Sequence, residues 1–346
     1  METTGIATRF GWSARPSRGD SIQVAVIAAL MLFALFGLPS LLSLYWIDTS
    51  TTTVIYAIAA LGLGLLVGRV GMISLGQVAV LALGAWVAAK LCYATTLPYP
   101  IVLLGSGIIT MVIGTLIGLP ALRVSGLYLA LVTLMLAGAI TVVLTQTNFP
   151  NGGTGFLGYN DNYTGTIRRP SIATSDPAFF RYSLIVALLM FALVLWHLRS
   201  KPGRAWAAIR QSEPAALTAG VNVTVYKMWA FALASFITGV AGGLLGSSSG
   251  KLYTYQFPTQ ASIYIFAVVL MGGIYTVWGA VIGSALLWVL PALFNIWGIN
   301  AQIPVILFGL GVLQVLTTAP AGIAHQFPHD MAKLGRLLFG LVRRLA

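Results

Sequence analysis

The sequence predicts an all-α, polytopic integral membrane protein of about ten transmembrane helices, some broken or re-entrant, with both termini cytoplasmic. Three observations carry this. Of 346 residues 58% are hydrophobic and only 8% charged, whereas about a quarter of a soluble domain is charged. The apolar residues come in runs that approach the roughly 20 residues a spanning helix needs. The basic residues, which bring the formal charge to +12, gather in intervals between those runs, as cytoplasmic loops require. Placement beside spans argues against nucleic acid as the partner of this charge. The single cysteine, Cys92, lies inside an apolar run, which excludes a disulfide framework and reads as a small buried hydrophobe.

Residues 1–21 form a polar segment with Arg9, Arg15 and Arg18. The apolar run Ile22–Ile47 is too long for the core of a cleaved signal peptide and reads as the first span. Further runs follow near 54–67, 78–92, 101–119, 127–145, 182–198, 228–249, 262–275, 279–296 and 303–317. Residues 22–320 thus make one transmembrane domain. With both ends inside, most Lys and Arg fall on the inner side, and the outer side receives Lys90, Arg168, Arg169, Arg181 and Lys251. The cytoplasmic tail, 321–346, carries His325, His329 and four basic residues, and suits an amphipathic helix on an anionic leaflet.

Small-xxx-small pairs, among them Gly64/Gly68, Gly239/Gly243 and Gly242/Gly246, let helices approach closely in lipid. Two stretches are of another kind. Gly68–Gln77 and Gly272–Gly279 interrupt their runs with polar residues, and such breaks survive at membrane depth only when buried in protein or lining a watery cavity. Ser74, Gly76 and Gln77 are therefore candidate pathway residues. The external interval 146–181 is the longest, rich in Asn, Gly, Thr and Tyr. It reads as a folded loop in which Asn151, Gly152, Gly153, Thr154 and Gly155 face a partner or cap the pathway.

Residues 199–227 are the one long polar interval both strongly basic and built to fold. Ser212 is placed to cap a helix of about two turns that opens with Glu213 and Pro214 and ends at Gly220. A second short helix, Arg204–Gln211, sets Trp206, Ile209 and Arg210 on neighbouring faces. Helices this short take their order from what they pack against, so the pair reads as a docking surface.

Other motifs fail their contexts. Gly153, Gly155 and Gly158 fit a dinucleotide fingerprint but lie in an external loop, and Ser247–Leu252 resembles a phosphate loop with Leu245 and Leu252 where Gly and Ser or Thr are required. No cofactor or metal site is expected: His197, His325 and His329 lack ligand spacing. Scarcely any ionisable residue lies within a run, whereas ion-coupled carriers need them at depth. The energy for transport is then supplied from outside the membrane part, by an ATPase on a separate polypeptide. A pathway of hydroxyls, amides and backbone groups suits a small neutral or zwitterionic solute.

Between about Val54 and Phe294 the chain resembles the permease subunits of branched-chain amino acid ABC importers. Four stretches in order carry the resemblance: GMISLGQVAVLALGAW at Gly71–Trp86, NGGTGF at Asn151–Phe156, GRAWAAIRQSEPAALTAGVNVTVYK at Gly203–Lys227 and GGIYTVWGAVIGSALL at Gly272–Leu287. The resemblance implies that Gly203, Arg204, Arg210, Ala216, Gly220 and Lys227 belong to the cytoplasmic segment that couples to the ATPase. It implies a non-enzymatic subunit of the bacterial inner membrane. Its partners would be a second permease subunit, two ATPases and a periplasmic solute-binding protein. Leucine, isoleucine and valine are the implied solutes. Relatives of the same architecture that carry urea and short amides are the alternative, and a stand-alone facilitator is a further one.

Overall fold

The computed structural model describes residues 33–119, 126–146, 167–300, 302–318 and Gly322. The start of the predicted first span, most of the external loop including Asn151, Gly152, Gly153, Thr154 and Gly155, and the predicted tail apart from Gly322 lie outside these residues. The chain divides at Ser43 into two units. In the first, Phe33–Gly37 make a π-helical turn and Leu38–Leu41 a single α-helical turn. Leu42 is then extended, with φ −92° and ψ 144°, and the next helix starts at Leu44. The run read as one span through Ile47 is therefore two pieces. The interruption falls at Leu42 and Ser43, just after the single turn that carries Pro39.

In the second unit the helices are α1 Leu44–Leu65, extended by a π-helical turn Leu66–Val70, α2 Gln77–Ala94, α3 Tyr99–Gly118, α4 Leu127–Gln146, α5 Asp176–Arg199, α6 Lys201–Gln211, α7 Glu213–Thr218, α8 Val223–Ser249, α9 Ala261–Gly272, α10 Gly279–Ile296 and α11 Gln302–Thr318. Each predicted run after the first falls on one of them. Seven are long and apolar enough to cross a membrane: α1 with its π turn, α2, α3, α4, α5, α8 and α10. Helices α9 and α11 are shorter, at 12 and 17 residues.

The core is α8, 27 residues long, packed against α1, α2 and α3, while α1 also meets α5 and α10. Its glycines make this possible. A Cβ at Gly242 would collide with the Leu81 carbonyl of α2, and one at Gly239 would lie 2.6 Å from the Thr110 side chain of α3. Backbones held this close gain dispersion contacts, the main attraction between helices when the solvent is itself apolar. Leu104, Leu116, Met135, Leu189 and Leu313 lie on the outside, as lipid-facing positions do.

Candidate functional site

The first predicted break is present. The π turn ends at Gly71, whose φ of 85° is left-handed, and its amide and that of Met72 both reach Leu66 O at 3.0 Å. Residues 71–76 then have no regular structure before α2 begins at Gln77. Depth follows from register. Gln77 Nε2 donates to Thr238 Oγ1 at 2.5 Å, and Gly242 abuts Leu81, so α2 and α8 run parallel with Gln77 level with Thr238. Thr238 lies roughly 22 Å along α8 at 1.5 Å per residue, about halfway. The segment 71–76 therefore climbs from one end of the molecule to mid-depth, where α2 starts; its 18 residues reach about 27 Å.

A second helix starts beside it. Val78 N donates to Ser262 Oγ at 3.3 Å, which sets the start of α9 against the start of α2. From there α9 runs alongside the latter part of α1, and its end meets Gly68, where a Cβ would collide with Ile274 O. Twelve residues reach about 18 Å, short of the roughly 30 Å of hydrocarbon. Helix α9 is by itself too short to cross, and the segment 250–260 that precedes it covers the rest of the depth. The second predicted break, 273–278, is the turn from α9 into α10. It is closed so tightly that a Cβ at Gly272 would strike Gly279 O. A third break, 250–260, leads from the end of α8 to mid-depth with one 3-10 turn, Thr254–Gln256, and the sequence reading did not single it out.

Of the three candidate pathway residues, Ser74 and Gln77 are 2% and 3% exposed. Gly76 is also buried, with room for a Cβ only 3.2 Å from Thr133 O. They are buried in protein, as a break at this depth must be. Their neighbours include hydroxyls: Thr133 Oγ1 accepts from Leu75 N at 2.8 Å and Thr238 Oγ1 from Gln77; about two turns further along α4, Thr141 meets Thr259 at 3.2 Å. Thr133, Thr238 and Ser262 were not foreseen. Hydroxyls inside a helix bond their own preceding turn, as Thr133 does to Leu129 O at 2.9 Å, and so leave no mark in sequence.

At the end of the molecule where the π turn and α8 begin sit α6 and α7. Ser212 caps α7, accepting from Ala215 N at 3.4 Å, and Gly220 closes it with φ 80°, both as expected. Helix α6 begins earlier than expected, at Lys201. Trp206 and Ile209, placed by the sequence reading on a docking surface, are 0% and 2% exposed. Trp206 Nε1 donates to Tyr226 O at 2.9 Å and its ring stacks on His197 at 6.4 Å, so this face is glued to α5 and α8. The coupling candidates divide likewise. Gly203, where a Cβ would hit Leu198 O, and buried Ala216 hold the short helices down. Lys227, 8% exposed, bonds Glu213 Oε1 at 2.5 Å and ties α8 to α7. Arg204 and Gly220 are exposed, as are Pro214 and Leu217. Arg210 stacks on Tyr275, its guanidinium carbon 4.4 Å from the ring centroid, and Arg69 Nη2 donates to Tyr275 O at 3.0 Å. At the opposite end Arg169 pairs with Asp176 at 2.6 Å, and Arg168 donates to Cys92 O at 2.9 Å and Thr95 O at 2.6 Å.

Residues 45–316 match the family described as branched-chain amino acid transport system / permease component. The chain is 30% identical over 324 residues to the high-affinity branched-chain amino acid transport system permease protein LivM of Salmonella typhimurium, covering 86% of this chain and 74% of that one. It is 28% identical to LivM of Escherichia coli at the same coverage. It is 27% identical to the ribose import permease protein RbsC of Haemophilus influenzae, over 75% of this chain and 80% of that one. No solved structure matches the chain. The match over residues 45–316, with the similarity to LivM over most of the length, shows that the chain belongs to the family of permease components of branched-chain amino acid transport systems.

Proposed function

We propose that this chain forms one side of the translocation pathway of an ATP-driven importer for leucine, isoleucine and valine in a bacterial inner membrane. In this reading both termini are cytoplasmic and α6 and α7 face the cytoplasm. The observation that carries it is the pair of helices, α2 and α9, that start beside each other at mid-depth. Segment 71–76 and helices α2 and α9 bring Ser74, Gly76, Gln77, Thr133, Thr238 and Ser262 together at mid-depth. Apart from His197 and Lys227, both toward the α6–α7 end, the buried polar side chains among the described residues are hydroxyls and one amide. Such a lining recognises a zwitterion without coupling it to an ion gradient. Energy then enters through α6 and α7, whose exposed edge of Arg204, Pro214, Leu217 and Gly220 is the surface offered to the two ATPases. A second permease subunit completes the pathway. A periplasmic binding protein delivers solute to the opposite end, where Asn151, Gly152, Gly153, Thr154 and Gly155 are its contacts.

The test is uptake by vesicles holding this chain with its partner subunits, offered labelled leucine, isoleucine, valine, urea or ribose, with ATP inside or absent. ATP-dependent uptake of the three amino acids is expected. Uptake of leucine without ATP would make the chain a facilitator, and ATP-driven uptake of urea or ribose alone would replace the solute. The pathway itself is read by cysteines at Ser74 and Gln77 in a Cys92→Ser background. Both positions are closed in the structure, so aqueous maleimide should modify them faster during ATP-driven turnover than at rest. Leu81, which faces α8, should stay unreactive in both states. Equal rates at all three positions would reduce segment 71–76 to a packing kink.

A further inference from the structure

We infer that Arg210 and Tyr275 form the link through which movement of the short cytoplasmic helices reaches the broken spans, with Arg210 a positioning residue that acts inside the chain. The inference rests on the docking reading of α6 and α7 given above. Arg210 is half-buried on α6. Its guanidinium lies 4.4 Å from the Tyr275 ring centroid, and its Cγ would be 3.7 Å from a Cβ at Gly71. One side chain thus stacks on the turn 273–278 and passes beside the first residue of 71–76. Arg69, on the π turn between them, donates to the Tyr275 carbonyl at 3.0 Å. The ion pairs among the described residues, Arg169–Asp176 and Lys227–Glu213, include neither arginine. Two guanidinium groups are thus gathered around one tyrosine whose ring and carbonyl receive them, and among the described residues no carboxylate pairs with either.

The mechanical consequence follows from stiffness. Trp206 and Ile209 fix α6 as a rigid body against α5 and α8. A push on α6 is therefore passed to whatever its remaining side chains grip. Gly71 and Gly273, with φ of 85° and 121°, stand where the backbone of each segment can turn. The Arg210–Tyr275 stack joins the rigid helix to the turn at Gly273, with the Arg210 stem passing beside Gly71, and a cation over an aromatic face can slide without breaking, unlike a bidentate ion pair.

The experiment uses the assembled importer in vesicles, with labelled leucine uptake and ATP hydrolysis measured together and ATPase co-purification measured separately. Tyr275→Phe, which keeps the ring, should retain parental uptake per ATP hydrolysed. Tyr275→Leu and Arg210→Gln should each lower that ratio about fivefold or more, with co-purification unchanged, and the two together should do no worse than either alone. A parental ratio in Tyr275→Leu, or multiplying effects in the double variant, would overturn the link. Loss of co-purification in Arg210→Gln would return the residue to the docking surface. Failure of all variants to bind the ATPases, with Leu217→Asp harmless, would instead discredit the docking reading. If Tyr275→Leu does not accumulate in the membrane, the Arg210→Gln ratio decides, because that side chain sits at the protein's edge.

Discussion

Gly242→Ala is expected to leave little folded protein in the membrane, while Gly138→Ala leaves the amount of folded protein at or slightly above the parental level. The two changes add the same methyl group, and each gains up to about 1 kcal/mol of helix propensity. They differ in what that methyl meets. At Gly242 it would collide with Leu81 O and lie 2.8 Å from Ala85 N and 3.1 Å from Gly84 C. These are backbone atoms of α2, which no rotamer change can move aside. Relief requires parting α2 from α8 along their shared length. That would stretch the Gln77–Thr238 bond of 2.5 Å and the bonds of Ser106 Oγ to Gly84 O at 2.7 Å and Gly239 O at 3.2 Å. Overpacking alone costs about 1–3 kcal/mol, and the buried hydrogen bonds add about 1 kcal/mol each, a large part of a total stability of about 5–15 kcal/mol. At Gly138 nothing lies within 4 Å. Size-exclusion profiles of a fluorescently tagged protein extracted in mild detergent measure the folded fraction. A Gly242→Ala peak equal to that of Gly138→Ala would mean that α2 and α8 are not packed this closely.

The same pair of glycines marks how far the sequence could be read. Spans were legible because apolar runs need no partner to be recognised, and both breaks that were foreseen betray themselves by Gly and polar residues inside such runs. The small-xxx-small pairs pointed to close packing without saying where. Gly242 sits against backbone whereas Gly64 has only Val269 at 3.8 Å, a difference set by the partner helix. Depth was not legible at all. That α2 starts halfway through the molecule depends on Gln77 meeting Thr238, 161 positions away. For the same reason Leu44–Ile47 were joined to the wrong helix: an apolar stretch continues across a turn without a change in hydrophobicity. In residues 199–227 composition said that the helices face water, and the caps at Ser212 and Gly220 gave their ends. Composition could not say which face is glued down, so Trp206, Ile209 and Lys227 were grouped with residues that are exposed.

Lys227 supplies the other large effect, and its sign is asymmetric. Glu213→Ala should destabilise the protein by about 1–3 kcal/mol, while Lys227→Met should cost less than about 1 kcal/mol. The pair is 2.5 Å apart, but its side chains are 11% exposed at Lys227 and 46% at Glu213. Removing the glutamate leaves an ammonium enclosed by the start of α8 with no acceptor, and an unpaired buried charge is what makes broken ion pairs expensive. Removing the lysine leaves a carboxylate already half in water, in the first turn of α7, where backbone amides favour a negative charge. Methionine also refills most of the volume that the lysine stem occupied. The double variant Glu213→Ala/Lys227→Met should therefore be more stable than Glu213→Ala alone, because the stranded charge has gone. Function should not follow stability. Among the described residues the ion pair is a side-chain tie between α7 and α8, and either single change frees the helix proposed above to meet the ATPases, so ATPase co-purification should drop in both singles and stay low in the double. Thermal midpoints in detergent and co-purified ATPase, measured on the three variants, separate the two effects. A midpoint lowered more by Lys227→Met than by Glu213→Ala would show that the lysine is held by something other than its carboxylate. Full co-purification in the double variant would show that the orientation of α7 does not depend on this tie.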